Sequence, residues 1–443
     1  MSGNQRTRRQ FLKEMAAGTG MAIAAPALSY GRIIGANDRV VVAVIGTNDR
    51  GDQLAREVAG LHNVEVAYVC DVDRRAVEKT TASVTAVQQK QPKGVGDFRR
   101  VLDDPDLDAI LIAMPDHWHA PATIIACDAG KHVYVEKPAS HNPHEGELVI
   151  AAARKHNRIV QLGNQRRSWP NIIDAMAELK AGVIGRVKYS RSWYARARDP
   201  IGFGKQAPVP DWLDYDLWQG PAPHQPYRDN VIHYNWHWFW NWGTGEAGNN
   251  GVHTIDLSRW GLGVDYPTRV TFGGGRYYFD DDGETPDTQM LTFEFADGKF
   301  ITWEGQSANS HGMEDGGVGV SFHGDEGSLV ITGSGYKIRN REDRLVKEVT
   351  AQTGREAQDL NGKVLNLDAV HLFNFVEAIR NNGKPSSEIE EGHKSTLLCL
   401  LGNISHRVGR VLTCDPSNGH IVGDDEAAAL WSREYEPGWE PRV

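Results

Sequence analysis

The chain has 443 residues, 40% of them hydrophobic, and a formal net charge of −10 at pH 7. That is enough apolar sequence for a large core in two domains or more, and the acidic balance argues against a nucleic-acid partner. No run in the body of the chain reaches transmembrane length, and Cys70, Cys127, Cys399 and Cys414 show no C-x-x-C spacing. The cysteines are expected as buried thiols, with no metal site and no disulfide framework.

Arg8 and Arg9 are followed by Phe11, Leu12 and Lys13, then by an Ala/Gly-rich run over residues 15–27 that closes on Ala25-Pro26-Ala27. Paired arginines, a mildly apolar run and small residues, in that order, predict a twin-arginine export signal. The twin-arginine machinery is then a partner, and the mature chain is expected in the periplasm or otherwise exported, with no stable membrane span. That route carries folded proteins. An exported nucleotide enzyme has no dependable pool of soluble cofactor, so a tightly bound one is expected, restored to its starting redox state in each cycle.

Residues 39–45 form a continuous β-branched run, as in a buried parallel strand. Gly46-Thr47-Asn48-Asp49-Arg50-Gly51 follows and enters a helix expected over residues 53–59. This approximates the dinucleotide fingerprint G-x-G-x-x-G, in which glycines let the backbone approach a pyrophosphate at a helix N-terminus. Asn48 stands in place of the second glycine, and asparagine tolerates positive φ. A second strand, residues 64–69, leads to Asp71, about 20 residues beyond Gly51, where an acid binds ribose hydroxyls and favours NAD. Arg74 and Arg75 leave NADP open, and Asp71 as a helix N-cap is the rival reading.

The pattern continues with a short helix over 98–102, a strand over 108–113, a loop over 114–119 and a helix over 121–129. A strand over 131–135, a helix over 143–156 and a strand over 158–162 complete it. Such alternation makes a parallel sheet with helices on both faces. Pro115, His117 and His119 then sit at the ligand edge as cleft-lining residues. The strand at 131–135 ends in Glu136-Lys137-Pro138, where proline stops the ladder and leaves a lysine facing the nucleotide.

The fingerprint, the Met114-Pro115-Asp116-His117-Trp118-His119-Ala120 loop and Glu136-Lys137-Pro138 together resemble the Gfo/Idh/MocA oxidoreductases. Gly163-Asn164-Gln165-Arg166-Arg167 resembles that family's segment entering the second domain, and the similarity runs from about residue 38 to 412. The resemblance implies an α/β fold: an N-terminal Rossmann dinucleotide-binding domain, then a C-terminal α+β domain with an open, mainly antiparallel sheet. The expected boundaries are 1–36 for signal and linker, 37–162 for the nucleotide domain and 163–367 for the substrate domain. Residues 368–415 are expected as helices packing back near the nucleotide domain, and 416–443 as a tail. A homo-oligomer is also implied.

In the second half a helix is expected over 166–180, a strand over 187–194 and a long loop over 199–228. The run His233-Tyr234-Asn235-Trp236-His237-Trp238-Phe239-Trp240-Asn241-Trp242 alternates aromatic and polar groups, which suits a carbohydrate site and equally suits core packing. Gly245-Glu246-Ala247-Gly248-Asn249-Asn250-Gly251-Val252-His253 resembles the family's Asp-x-Gly-x-His segment, with Asn249 in the acid's position. Asparagine orients a hydroxyl but is no base, so the proton work falls on His253. Strands are expected over 267–279, 288–295, 299–306, 318–323 and 327–331, and helices over 367–380 and 393–409.

These residues predict an oxidoreductase acting on a sugar or glycoside hydroxyl. Lys137 and His253 are the catalytic candidates. Gly46, Asn48, Arg50, Gly51, Asp71, Pro115, His119, Glu136 and Lys137 are expected at the cofactor, and Arg166, Asn249, Trp236 and Trp238 at the substrate. Glu136 reads as a structural partner that fixes the turn. Two rival functions remain: a glycosidase or lyase working by transient oxidation, elimination and re-reduction, and a non-catalytic carbohydrate-binding protein.

Overall fold

The β-branched run is β1 (Val40–Ile45), and its residues alternate between two cores. Val42 and Val44 pack with Leu54 and Val58, while Ala43 and Ile45 pack with Ile110 and Ile112. Burial on both faces is why the strand reads as continuously apolar. The computed structural model describes residues 39–314, 316–351, 354, 356–359, 362 and 364–443, so the predicted export signal lies outside the described residues.

Five strands join β1: β2 (Val64–Cys70), β3 (Lys93–Val95), β4 (Ala109–Ile112), β5 (His132–Val135) and β6 (Val160–Leu162). Every pairing is parallel, in the order β3-β2-β1-β4-β5-β6. Helices α1 (Arg50–Ala59), α2 (Arg74–Gln88), α3 (Asp116–Asp128) and α4 (Pro143–Lys155) make the crossovers. The strand order reverses between β1 and β4, and a doubly wound sheet binds its ligand beyond the C-terminal strand ends at that point.

The second half contains α5 (Pro170–Lys180), β7 (Val187–Ala195), α6 (Tyr215–Gln219) and α7 (Val252–Leu262). Seven strands follow: β8 (Arg269–Gly275), β9 (Thr288–Glu294), β10 (Phe300–Gln306), β11 (Val318–Gly324), β12 (Gly327–Thr332), β13 (Gly335–Asn340) and β14 (Leu345–Val349). After α8 (Leu367–Asn381) and α9 (Ile389–Val408) come β15 (Leu412–Thr413) and α10 (Asp425–Ala429). The sheet has nine strands in the order β14-β13-β12-β11-β7-β10-β9-β8-β15. Among the described residues only β7 and β10 pair in parallel; the sheet is mainly antiparallel, as expected. Leu372 and Phe375 of α8 join the nucleotide core beside Leu54. Helix α9 spans both halves, with Ile389 in one core and Leu397 and Leu401 in the other.

Several boundaries differ from expectation, each for a local reason. The helix expected from Arg166 begins at Pro170, because Trp169 is held extended (φ −74°, ψ 124°) ahead of the proline, and residues Gln165–Ser168 form a 3-10 turn. The helix expected from Pro121 begins at Asp116 and carries Pro121 inside it. Proline leaves the carbonyl four residues back without its helical partner, and Arg433 Nη2 donates to that His117 carbonyl at 2.9 Å. The strand expected over 267–279 is confined to β8, and the second C-terminal helix starts at Ile389 with Glu388 accepting from the Glu390 N–H. The tail packs on the nucleotide half: Arg433 pairs with buried Glu145 at 2.9 Å, and Trp439 meets Trp118 edge-on. All four cysteines are buried and free. Among the described residues no helix is long and apolar enough to cross a membrane.

Packing has enclosed several imidazoles. Burial pushes His371 and His393 down to about 4 and His117 down to about 3. In the unfolded chain these groups take up protons below about pH 6.5, which the folded chain does not, so stability drops as pH falls from there. The unfolding temperature is expected to decline steadily between about pH 6.5 and 4. A flat unfolding temperature over that interval, followed by scanning calorimetry, would contradict the buried, neutral assignment.

Candidate active site

A cavity of about 370 Å³ lies at the switch point, walled on one side by the ends of β1, β2, β4 and β5 and on the other by residues from the second half. Eleven of the expected site residues line it: Gly46, Asn48, Arg50, Asp71, Pro115, His119, Glu136, Lys137, Trp236, Asn249 and His253.

The loop after β1 is shaped for a pyrophosphate. Gly46 takes φ 78°, and a Cβ there would meet the Ala113 and Met114 backbone at 2.7–2.8 Å. A Cβ on Gly51 would fall 1.7 Å from the Gly46 carbonyl oxygen, so Gly51 lies beneath the loop and does not line the cavity. Asn48 has no positive φ, so its replacement of the second glycine needs no strained backbone. The loop opens directly into α1, whose N-terminal amides face anions well.

Asp71 accepts from the Thr47 N–H at 2.5 Å and the Asp73 N–H at 2.9 Å. Burial raises its pKa against those bonds. The N-cap of α2 is Asp73, which accepts from the Arg75 N–H, so the rival reading of Asp71 does not hold. These features fit NAD: the loop and α1 would hold the diphosphate and Asp71 the ribose. When bound, NAD supplies the hydride acceptor.

Lys137 stands at the centre of the cavity. Its Nζ donates to the Asn249 backbone oxygen at 2.8 Å and to Asn249 Oδ1 at 3.0 Å. The carbonyl is presented by a π-helical turn, Ala247–Gly251, that feeds α7; such turns disturb the i→i−4 ladder and recur at functional sites. Burial lowers the Lys137 pKa, and Glu136 and Asp116 oppose that shift. Burial pushes the Glu136 carboxyl up, but Arg50 and Lys137 outweigh it and leave the carboxyl below its ordinary range. Arg50 Nε pairs with Glu136 at 2.8 Å, and its Nη1 reaches Asp368 at 3.3 Å. Glu136 thus has the structural part expected of it.

His253 sits on the first turn of α7 with its Nδ1 buried and without a hydrogen-bond partner. Burial, then Lys137 and Arg166, hold its pKa well below 6.5, so the imidazole is neutral. His119 bridges the two loops, Nδ1 to the Pro138 carbonyl at 2.6 Å and Nε2 to the Met114 carbonyl at 2.7 Å.

Two expectations are corrected, and a third residue is found away from the main cavity. Trp238 is fully buried and outside the cavity, with the Arg198 guanidinium 4.0 Å above its ring; in the alternating aromatic run, Trp236 and His237 reach the cavity and Trp238 belongs to the core. His117 is not at the cleft. It is buried between the carbonyls of Trp218 and Trp242. Arg166 lines a neighbouring opening and not the main cavity.

Other cavity residues were not anticipated. Asp116 accepts from the Thr244 hydroxyl at 2.6 Å, and its electrostatic influence reaches Lys137; its place in a loop motif concealed that it opens a helix. Tyr234, His237 and Asn250 line the second wall. Glu246 is buried beneath it, bonded to Asn250 and raised in pKa chiefly by burial.

Residues 40–164 match the model of an oxidoreductase family, NAD-binding Rossmann fold, and residues 213–412 match the same family's C-terminal alpha/beta domain. The chain belongs to the Gfo/Idh/MocA oxidoreductase family. A levoglucosan dehydrogenase from Pseudarthrobacter phenanthrenivorans is 26% identical over 259 residues, covering 53% of this chain and 58% of the relative. A glycosyl hydrolase family 109 protein from Saccharopolyspora erythraea is 28% identical over 230 residues, covering 47% and 50%. The chain thus spans about half the length of the curated relatives it matches. Among solved structures, a levoglucosan dehydrogenase in complex with NADH and levoglucosan superposes with a TM-score of 0.66 at 20% identity, over 85% of this chain and 99% of that one. Likeness at that identity concerns the fold.

Because a Cβ at Gly46 collides with backbone and the φ is positive, Gly46→Ala is expected to weaken NAD binding at least about tenfold. Glu78→Ala, at an exposed position of α2, serves as the control. Titration of NADH fluorescence reads the effect, and unchanged affinity in Gly46→Ala would refute the cradle.

Proposed function

We propose that this protein is an exported, NAD-dependent oxidoreductase acting on a sugar or glycoside hydroxyl. The observation that carries the reading is the meeting of Lys137, Asn249 and His253 at the cavity that holds the Gly46–Arg50 loop. A hydroxyl carbon presented there has a cation beside its oxygen and a neutral base within the same wall. His253 takes the hydroxyl proton. Lys137 hydrogen-bonds the same oxygen and stabilises its developing negative charge, which is worth most where water is excluded. Asn249 orients the lysine, and its buried Nδ2, beside the Tyr234 hydroxyl, is available to a substrate hydroxyl. The aromatic faces of Trp236 and Tyr234 cover sugar C–H surface.

The arginine pair at Arg8 and Arg9 supports export, and export favours a cofactor that stays bound through the cycle. Transport machinery and a homo-oligomeric assembly belong to the same proposal. A second reading, glycoside cleavage by transient oxidation and re-reduction, is favoured by the similarity to a glycosyl hydrolase family 109 protein alongside a sugar dehydrogenase.

Absorbance of the purified protein before and after a panel of sugars and glycosides tests both. Lasting reduced cofactor with a keto-sugar supports the dehydrogenase, and aglycone release with an unchanged spectrum supports cleavage. Neither outcome across the panel overturns the proposal. On an active substrate, His253→Ala is expected to lower kcat by roughly 10²- to 10⁴-fold. Because the His253 pKa lies well below 6.5, the rate should stay level as pH falls through 6.5 and drop only in more acid solution. An acid limb centred near 6.5 would contradict the base assignment.

A further inference from the structure

Arginines in the interior are matched with acids by the fold. Arg50 has Glu136, Arg167 has both oxygens of Asp256, Arg259 has Glu391, and Arg433 has Glu145. Arg166, the immediate neighbour of Arg167, has none. Its Nη1 is buried without a hydrogen-bond partner, and its nearest aromatic neighbour is Trp169, 5.3 Å from the ring centroid. Burial and then the charge of Arg196 push its pKa down to about 10. Both influences disfavour the guanidinium, and among the described residues no carboxylate offsets them. A buried charge without a counter-ion is strongly unfavourable, so an uncompensated arginine facing an opening marks a place where the counter-ion arrives from outside.

Such an opening is present. Arg166 and exposed Arg196 line it together with Ser310, Gly316, Gly317 and Thr332. The chain links it to the active site: Gln165, one residue before Arg166, lines the main cavity, and the charge of Arg166 is among those that depress His253. Arg198 is different. Its Nε and Nη2 are also buried and unpartnered, but Glu246 and Asp281 oppose its loss of charge. With a net charge of −10, the chain as a whole repels anions, so attraction here is local.

We infer that the opening at Arg166 and Arg196 receives an anionic substituent of the substrate, a carboxylate or a sulfate or phosphate ester carried on the sugar beside the reacting hydroxyl. This rests on the sugar reading above and narrows it to acidic sugars. Arginine matches carboxylate and phosphate oxygens through two parallel N–H donors.

The NAD-loaded protein is assayed with matched pairs: a methyl glucoside against the corresponding glucuronide, and glucose against glucose 6-sulfate and glucose 6-phosphate. The charged member is expected to have a kcat/KM higher by roughly 10- to 100-fold, mostly through KM, with the advantage shrinking as salt rises. The glucuronide arm separates a carboxylate from the ester arms. Arg166→Gln should reduce the charged-to-neutral ratio about tenfold or more, and Arg196→Gln, at an exposed position, should reduce it in the same direction and keeps the test alive if the first variant does not fold. Equal kcat/KM for charged and neutral members in the parent protein, or an equal loss on both in the variants, overturns the inference. If no sugar is turned over, the oxidoreductase reading fails separately. The rise in unfolding temperature with glucuronate against glucose then decides the subsite, and equal shifts reject it.

Discussion

Placing a lysine ammonium at the seam between two halves of the molecule is the constraint on which the rest of the site depends. Lys137 comes from the nucleotide half, at the end of β5, and its hydrogen-bond acceptors both belong to Asn249 in the other half. Removing such a charge from water is costly unless it is met by hydrogen bonds and opposite charge. Glu136 and Asp116 supply the charge, and the π turn over residues 247–251 supplies the carbonyl. Glu136 is itself enclosed and is kept ionised by Arg50, which stands at the first position of α1 directly after the fingerprint loop. The cofactor cradle and the reacting site therefore share one chain of charges, Asp368–Arg50–Glu136–Lys137.

This arrangement gives the asparagine at position 249 a physical meaning. A carboxylate there would form an ion pair with Lys137 and hold its proton firmly. The amide accepts the same hydrogen bond without neutralising the charge, so the lysine keeps more of its electrostatic effect for a substrate oxygen. In the proposed reaction His253, held neutral by burial and by surrounding cations, is left as the proton acceptor.

Much of this was legible in the sequence because backbone constraints leave strong marks. β1 is apolar throughout because both its faces are covered, and Gly46 and Gly51 are glycine because a Cβ would strike backbone. Glu136-Lys137-Pro138 announced a strand end. What was not legible depends on partners far away in the chain. Pro121 looked like a helix start, but the tail residue Arg433 satisfies the carbonyl it frees. Trp236 and Trp238 have the same local pattern, and only the packed core separates the ring that lines the cavity from the one beneath it. Glu246 carries no spacing signal, since the second wall is assembled from a loop, a π turn and a helix entry. Arg166 and Arg167 are adjacent and chemically identical, yet Arg167 is paired with Asp256 and Arg166 has no acid partner among the described residues.

The position of the alkaline limb in the pH–rate profile, measured for the parent protein and for Asn249→Asp, tests the role of Lys137 most directly. The proposed role needs the protonated lysine, whose pKa is lowered below 10.5 by burial. Rate is therefore lost as pH rises through that lowered value. A carboxylate at position 249 should favour the charged lysine and carry the limb upward by roughly one to three pH units. An alkaline limb at the same pH in both proteins would contradict the account, because the titrating group would then not be the lysine that Asn249 holds.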